Sequence, residues 1–240
     1  MQARRREQLR ARLHPIPRVL VVTAVEAERA AVLTGLGLPS DDPRDAIDRG
    51  DRTVVVAGGV GPGSAAATAA WMLAVPAARD PFDVVVCAGI AGGFAGRAPV
   101  GSTVLATRSV AADLGADTPD GFATVASLQL GQSTLDADQL YLGYLRRSLP
   151  DAVVGDVLTV NTVTGTAERA AALLGQWPDA VAEAMEGFGV ACAAQVAGAA
   201  FLELRTVSNP VGPRDRAAWR LDDALAALQR SVVGLASLEP

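Results

Sequence analysis

Short apolar runs alternate with helical stretches along the chain, and this alternation predicts the fold. The runs are apolar at nearly every position, as in strands buried on both faces, and the stretches between them carry hydrophobic residues at helical spacing. Strands are predicted at residues 18–24, 54–57, 83–87, 153–160, 180–184 and 200–207, and one strand or a pair of strands at 100–109. Helices are predicted at 26–36, 64–73, 137–148, 166–174, 186–197 and 221–238. The pattern therefore predicts an α/β fold, a single domain with a mixed, mostly parallel central sheet flanked by helices.

Two of the predicted strands run into glycine-rich segments, at residues 58–63 and 89–93. Both are predicted to be turns, and the first, which precedes a helix, has backbone amides that suit an anion. It also matches a relaxed dinucleotide-binding pattern. The next strand lacks the acidic residue that a dinucleotide site needs, which argues against a dinucleotide-dependent oxidoreductase. Residues 113–121 are the least regular stretch and are predicted to form a mobile loop.

Charge separates a basic leader from an acidic remainder. Residues 1–17 are locally basic and are predicted to be a flexible leader, followed by one domain over residues 18–240. The whole chain has a formal net charge of -5 and no long basic stripe, so nucleic acid is not expected as a partner. No apolar segment is long enough to span a membrane, so we expect a cytoplasmic protein without a membrane partner.

The residue types that are absent or rare in the sequence argue against several classes of catalytic mechanism. The chain has no lysine, which excludes Schiff-base enzymes and P-loop proteins. Its only histidine, His14, lies in the leader, which argues against Ser-His-Asp and Cys-His catalysis. Cys87 and Cys192 lie in apolar surroundings and are interpreted as small hydrophobic residues, so neither a metal nor a cofactor is expected. Carboxylates, arginines, amides and backbone groups are left for catalysis.

Four polar features follow predicted strands, and in an open α/β sheet they would meet at the carboxyl edge. They are the acids Glu26 and Glu28, the glycine segment 58–63, Glu186 after a short strand, and the run from Arg205 to Ser208-Asn209. Each also has a structural interpretation. The acids stabilise helix N-termini, Arg205 pairs with Glu203 on its own strand face, and Ser208-Asn209 forms a turn before a proline. The combination is more specific than any single feature.

Together these motifs resemble the nucleoside phosphorylase/nucleosidase superfamily, and particularly its hydrolytic branch, which contains methylthioadenosine/S-adenosylhomocysteine nucleosidase. The resemblance runs from about residue 18 to the last helix. It implies a metal-free hydrolase that cuts the bond between a purine and its ribose-like sugar. Glu28 matches the water-activating carboxylate and Met185-Glu186 matches the ribose-binding pair. Arg205 is implied to fix the water and Glu28.

The remaining implied contacts surround the sugar and the base. They are Gly61 in the first glycine segment, Gly89 and Ile90 in the second, Val163 against the purine, and Ser208 beside Asn209. Asn209 departs from the adenine-specific pattern, which has Asp at this position. An Asn amide donates to the O6 of a 6-oxopurine while its oxygen meets a protonated N7, so hypoxanthine or guanine is predicted as the leaving base.

Segments 160–166 and 208–216 resemble a branch of the superfamily that releases hypoxanthine from a benzoate-bearing nucleoside in menaquinone biosynthesis. That resemblance makes Arg214 or Arg216 a candidate partner of the benzoate carboxylate. The alternative is that both are solvated arginines in a polar loop. The family tendency also implies a homodimer or a larger homo-oligomer.

The choice between hydrolysis and phosphorolysis depends on charge. Phosphorylases of this superfamily resemble one another in holding phosphate with arginines after the first strand and beside the later glycine segment. Here Glu26 and Glu28 occupy the first place and residues 84–89 contain no arginine, so water is predicted as the nucleophile. A methylthioadenosine/S-adenosylhomocysteine nucleosidase, a purine nucleoside phosphorylase and a non-catalytic nucleoside-binding module remain as alternatives.

Overall fold

The computed structural model describes residues 16–74 and 80–238. The predicted leader lies outside these residues except for its last two positions. Within them, an 8-stranded sheet carries helices on both faces, and a 2-stranded hairpin lies apart from it.

The strands are β1 (Val19–Thr23), β2 (Thr53–Ala57), β3 (Val84–Gly93), β4 (Thr103–Ala111), β5 (Gly115–Thr118), β6 (Gly121–Thr124), β7 (Thr134–Asp136), β8 (Val153–Thr159), β9 (Ala180–Ala184) and β10 (Ala200–Pro210). The helices are α1 (Glu26–Leu36), α2 (Pro43–Arg49), α3 (Pro62–Ala74), α4 (Gln139–Ser148), α5 (Ala167–Gln176), α6 (Gly187–Ala197) and α7 (Leu221–Ser231), with 3-10 helices at Arg216–Ala218 and Val232–Ser237. Each strand and helix predicted from the pattern is present. The helix at residues 26–36 and the strand at 180–184 have the predicted ends, and the other elements have shifted ends, whereas α2, β5, β6 and β7 are additional.

The large sheet closes on itself. β3 pairs in parallel with β1 and β10, and β8 pairs in parallel with β4 and β9, whereas the pairings of β10 with β4 and of β3 with β9 are antiparallel. These pairings form a ring of β3, β10, β4, β8 and β9, from which β1 and β2 extend. The mixed sheet is confirmed. The expectation of an open sheet is wrong, because two antiparallel pairings close it.

Burial on both faces explains why the strands are apolar throughout. In β1, Val19 and Val21 pack into one hydrophobic cluster with residues of α1, α4 and α7. Leu20 and Val22 point the other way and pack with residues of α3 and α6. Each such side chain contributes roughly 1.5–3 kcal/mol when fully buried. The sheet is therefore a rigid core whose strand ends position the groups described below.

The second glycine segment is not a turn. Residues 89–93 lie inside β3, which continues to Gly93. Two of its glycines allow neighbouring groups to approach closely, because a Cβ on Gly89 would lie 2.6 Å from Glu28 Oε1 and one on Gly93 would lie 2.0 Å from the Ala98 carbonyl oxygen. A glycine inside a strand often marks such a close contact, which local sequence does not separate from a turn.

The predicted irregular loop at residues 113–121 is also wrong in part. It contains β5 and the start of β6, which pair as an antiparallel hairpin. The Thr118 hydroxyl donates to the Gly121 carbonyl at 2.7 Å across the turn, and Gly121 has a φ of +110° that favours glycine. The polar, glycine-containing sequence hides this hairpin because it is largely exposed and lacks the apolar alternation that predicts a strand.

Candidate active site

A cavity of about 270 Å³ lies where β1, β3, β9 and β10 end. Its inner wall contains the buried residues Glu28, Glu186 and Ser208. Its rim is more exposed and includes, with other residues, Val25, Val60, Val163, Arg214 and Leu221. The polar groups that follow separate strands in the sequence therefore meet at one edge of the sheet.

Glu28 lies in the first turn of α1 and joins that helix to β3. Its Oε2 accepts hydrogen bonds from the backbone N–H groups of Ala24 at 2.8 Å and Val25 at 3.2 Å, and its Oε1 accepts from that of Ile90 at 2.8 Å. Glu28 thus satisfies unpaired donors at the helix start and also faces the cavity. Glu26 differs, because it pairs with Arg29 at 2.7 Å and its side chain is 67% exposed.

Glu186 precedes α6 but does not cap it with its side chain. Its Oε1 accepts from the backbone N–H of Gly61 at 3.2 Å, and its Oε2 accepts from Nη1 of Arg205 at 3.2 Å. Gly61 has a φ of +90°, a conformation that favours glycine. The anion held by the first glycine segment is therefore a carboxylate of the protein itself, which is turned toward the cavity.

Arg205 is a fixed cation behind the inner wall. Its side chain is only 1% exposed, and its Nε donates to Glu203 Oε1 at 2.9 Å. Burial alone would lower the pKa of Arg205, but the negative groups around it outweigh burial and hold the pKa above its ordinary value. Burial raises the pKa of Glu203, although Arg205 opposes that rise. Arg205 therefore stays charged between Glu203 and Glu186.

Asn209 lies at an irregularity in β10. The register of β10 against β3 shifts between Val207 and Asn209, a kind of irregularity that redirects side chains next to active sites. Asn209 Oδ1 accepts from the Ser208 hydroxyl at 2.8 Å, and Nδ2 donates to the Pro210 carbonyl at 3.0 Å. Since an amide has two donor hydrogens and two acceptor lone pairs, Asn209 retains one of each for a ligand.

Glu183 is a further carboxylate of the cavity that sequence reasoning missed. It accepts from the Thr164 backbone N–H at 2.8 Å and from the Thr164 hydroxyl, and both residues line the cavity. Burial raises the pKa of Glu183, although the hydrogen bonds from Thr164 lower it. Glu183 thereby holds the segment that carries Val163. An acid inside the otherwise apolar strand β9 was the available signal.

The family model described as the phosphorylase superfamily matches residues 46–238. The chain belongs to the phosphorylase superfamily. Within that superfamily it resembles the futalosine hydrolase of Streptomyces coelicolor, with 51% identity over 91% of this chain and 94% of that protein. The futalosine hydrolase of Acidothermus cellulolyticus is 42% identical over 90% of this chain and 89% of that protein. The chain therefore falls in the futalosine hydrolase branch of the superfamily.

Solved structures of the superfamily share the fold. The methylthioadenosine/S-adenosylhomocysteine nucleosidase of Colwellia psychrerythraea, solved with adenine, matches with a TM-score of 0.74 and 19% identity over 93% of this chain and 96% of that chain. The Neisseria meningitidis nucleosidase, solved with methylthio-immucillin-A, gives a TM-score of 0.73 and 22% identity over 90% of this chain and 97% of that chain. At these identities the likeness shows the α/β fold alone.

The residues predicted from the superfamily resemblance fall into two layers. Those that line the cavity are Glu28, Ile90, Val163, Met185, Glu186, Ser208 and Asn209. Gly61, Gly89 and Arg205 lie behind them and contact Glu28 or Glu186. Within residues 16–74 and 80–238, the hydrogen bonds of Arg205 go to groups other than Glu28. A Cβ on Gly89 would lie 2.6 Å from Glu28 Oε1 and 3.0 Å from Arg205 Nη1, so the glycine lets these groups approach.

Trp219 and Leu221 are cavity residues that the sequence did not indicate. They follow β10 in a segment with only a short 3-10 helix before α7, where no periodic pattern shows which side chains turn inward. In the described part of the chain, no group of His, Cys, Asp and Glu is arranged to hold a metal ion. None of the helices described there is both long and apolar enough to cross a membrane.

Proposed function

We propose that this chain is a futalosine hydrolase, an N-glycosyl hydrolase that cleaves futalosine to hypoxanthine and dehypoxanthinyl futalosine in menaquinone biosynthesis. One observation carries the proposal. Two buried carboxylates, Glu28 and Glu186, face one cavity in a chain that is 51% identical to a curated futalosine hydrolase over 91% of its length.

The charge of the inner wall favours water over phosphate as the nucleophile. Glu28, Glu183 and Glu186 all line the cavity. The buried cation beside them, Arg205, is already engaged by Glu186 and Glu203. A phosphate dianion would meet several carboxylates and no unengaged guanidinium on this wall, so its approach is electrostatically unfavourable. A neutral water meets no such barrier and can lose a proton to a carboxylate.

Glu28 is assigned to orient and deprotonate that water. An ionised carboxylate has about four acceptor positions. Two backbone N–H groups occupy Oε2, whereas the Ile90 N–H alone is bonded to Oε1. Oε1 therefore retains an acceptor position for the water. Gly89 keeps this oxygen uncovered, because a side chain there would collide with it.

Glu186 is assigned to the ribose. Cleavage of the glycosidic bond passes through a sugar with oxocarbenium character, which a nearby carboxylate stabilises. Gly61 and Arg205 fix the Glu186 carboxylate from behind, so it is oriented before substrate arrives. In this assignment Met185 and Ile90 complete the sugar side of the cavity, and Glu186 accepts hydrogen bonds from the 2′ and 3′ hydroxyls.

Asn209 is assigned to the base. Its free amide hydrogen would donate to O6 of hypoxanthine, and its free lone pair would accept from a protonated N7, which favours departure of the base. Ser208 fixes the amide by donating to its oxygen. Val163 would rest against the purine ring from the segment that Glu183 holds through Thr164.

We further propose that the enzyme acts without a metal or cofactor and has one catalytic domain over residues 18–240. We also propose that it is cytoplasmic and assembles as a homodimer or a larger homo-oligomer. The cavity is proposed to bind a small-molecule nucleoside as its substrate.

Incubation of the purified protein with futalosine, inosine and methylthioadenosine, each with and without phosphate, tests this function. We expect hypoxanthine from futalosine at a rate that phosphate does not change. A sugar 1-phosphate among the products would overturn hydrolysis. Preferred cleavage of methylthioadenosine would overturn the substrate, and binding without cleavage would indicate a nucleoside-binding module.

A further inference from the structure

Arg214 places a positive charge on the rim of the cavity. It lines the cavity, and its guanidinium carbon lies 5.4 Å from the centre of the Trp219 ring. Within the part of the chain that the structure describes, no carboxylate lies within ion-pair distance of this guanidinium. Arg214 differs in this respect from the engaged Arg205 of the inner wall.

Arg216 provides the contrast within the same segment. Its guanidinium carbon also lies near Trp219, 5.8 Å from the ring centre. It lines an adjoining surface hollow together with Asp222 and Asp223, and it is absent from the cavity lining. The two arginines share an aromatic neighbour, but Arg214 lines the cavity and Arg216 does not.

The position of Arg214 joins two segments that border the cavity. A Cβ on Gly165 would lie 3.9 Å from Cγ and Cδ of Arg214, so the arginine side chain lies beside the segment that carries Val163. Trp219 belongs to the segment between β10 and α7 and also contacts the Arg214 guanidinium. Trp219 and the apolar residues Val60 and Leu221 line the same cavity as Arg214.

We propose that Arg214, and not Arg216, binds a carboxylate carried by the 5′ substituent of the nucleoside, with Trp219 against an adjoining aromatic ring. The chemistry of the rim points to an aryl carboxylate. A guanidinium binds a carboxylate through two parallel hydrogen bonds, and the indole and aliphatic groups accommodate an apolar ring. This inference rests on the proposed function, because the base and sugar must occupy the inner cavity for the 5′ group to reach the rim.

The test compares two ligands that differ only in this charge. KM and kcat are measured for futalosine and for the analogue whose benzoate carboxylate is replaced by a carboxamide, with the wild-type protein, Arg214→Gln and Arg216→Gln. We expect the wild type to favour the carboxylate, and Arg214→Gln to reduce that preference about tenfold through KM, as for loss of one charge-assisted contact. Arg216→Gln is expected to keep the wild-type preference, and Arg214→Lys to restore part of it.

The outcomes separate this inference from the proposed function. If the wild type hydrolyses futalosine and Arg214→Gln keeps the full preference for the carboxylate, the inference is wrong and the function stands. Loss of the preference in Arg216→Gln instead would assign the contact to the other arginine and would also overturn it. Calorimetric titration with the base-free sugar product and its carboxamide measures the same preference without turnover. An Arg214-dependent preference there supports the contact even if futalosine is not cleaved.

Discussion

Arg205 and Glu186 lie 3.2 Å apart, Nη1 to Oε2, with both side chains almost completely buried. On its other side, Arg205 Nε lies 2.9 Å from Oε1 of Glu203. One guanidinium therefore stands between a carboxylate that faces the cavity and a carboxylate that does not. The arrangement offers two isosteric substitutions that separate a contact with substrate from support of the fold.

Glu186→Gln should impair catalysis far more than Glu203→Gln. If Glu186 stabilises the cationic sugar, its neutralisation should lower kcat/KM by roughly 10²–10³-fold, as removal of one preorganised electrostatic contact does. Either change weakens a buried ion pair of Arg205 and should lower the free energy of unfolding, by as much as about 3–5 kcal/mol. Steady-state kinetics and urea denaturation measure the two effects. Equal loss of turnover in both variants would argue against a substrate contact by Glu186.

Glu28→Ala should reduce kcat by roughly 10²–10⁴-fold if Glu28 is the general base. It should also cost about 1 kcal/mol of stability, because the donors at the start of α1 lose their acceptor. Glu26→Ala is the matched control, since Glu26 lies in the same helical turn but its side chain is 67% exposed. Initial rates of the two folded variants and of the wild type measure the difference. Retained turnover in Glu28→Ala would remove its assignment as the base.

The hydrophobic pattern predicts much of this fold, because strands such as β1, β2 and β3 are buried on both faces and are therefore apolar at nearly every position. The pattern does not predict the direction of each strand or the closure of the sheet. Ala180–Ala184 has the composition expected of a parallel strand and pairs in parallel with β8, but on its other side it pairs antiparallel with β3, where Gly92 lies opposite Glu183. That pairing depends on where the chain returns after α5, which is a long-range property.

The site was predictable where a polar residue interrupts apolar sequence at a strand end. Glu186 and Asn209 have this character, whereas Arg205 interrupts the apolar strand β10 nearer its middle, and the structure brings all three to one cavity wall or directly behind it. Trp219 was not predictable, because its orientation depends on the tertiary path between β10 and α7. The partner of Glu183 was hidden for the same reason, since Thr164 is brought to it only by folding.

Asn209→Asp should shift the preferred base from hypoxanthine toward adenine. An ionised or protonated carboxyl at this position accepts from a 6-amino group, whereas the amide N–H that would donate to O6 is lost. The ratio of kcat/KM for inosine-type and adenosine-type nucleosides measures the shift, and Ser208→Ala tests whether the amide needs its orienting hydroxyl. An unchanged substrate ranking in Asn209→Asp would remove this explanation of base choice.

Glu183→Gln should change how stability depends on pH. Burial raises the pKa of Glu183 above its ordinary value of 4.5, so the folded protein binds this proton more tightly than the unfolded chain does. The stability that this group contributes is fully present below the ordinary pKa, and it is lost as the pH rises through the raised pKa.

The free energy of unfolding of the wild type, relative to Glu183→Gln, should therefore be greatest at acidic pH and fall as the pH rises. Urea denaturation of both proteins at several values between about pH 4 and about pH 7 measures this difference. Glu168→Gln, which removes an exposed glutamate from the first turn of α5, is the matched control for loss of one charge. A wild type that gains stability over Glu183→Gln as the pH rises would mean that the hydrogen bonds from Thr164 outweigh burial. The carboxylate would then hold the Val163 segment more firmly when ionised.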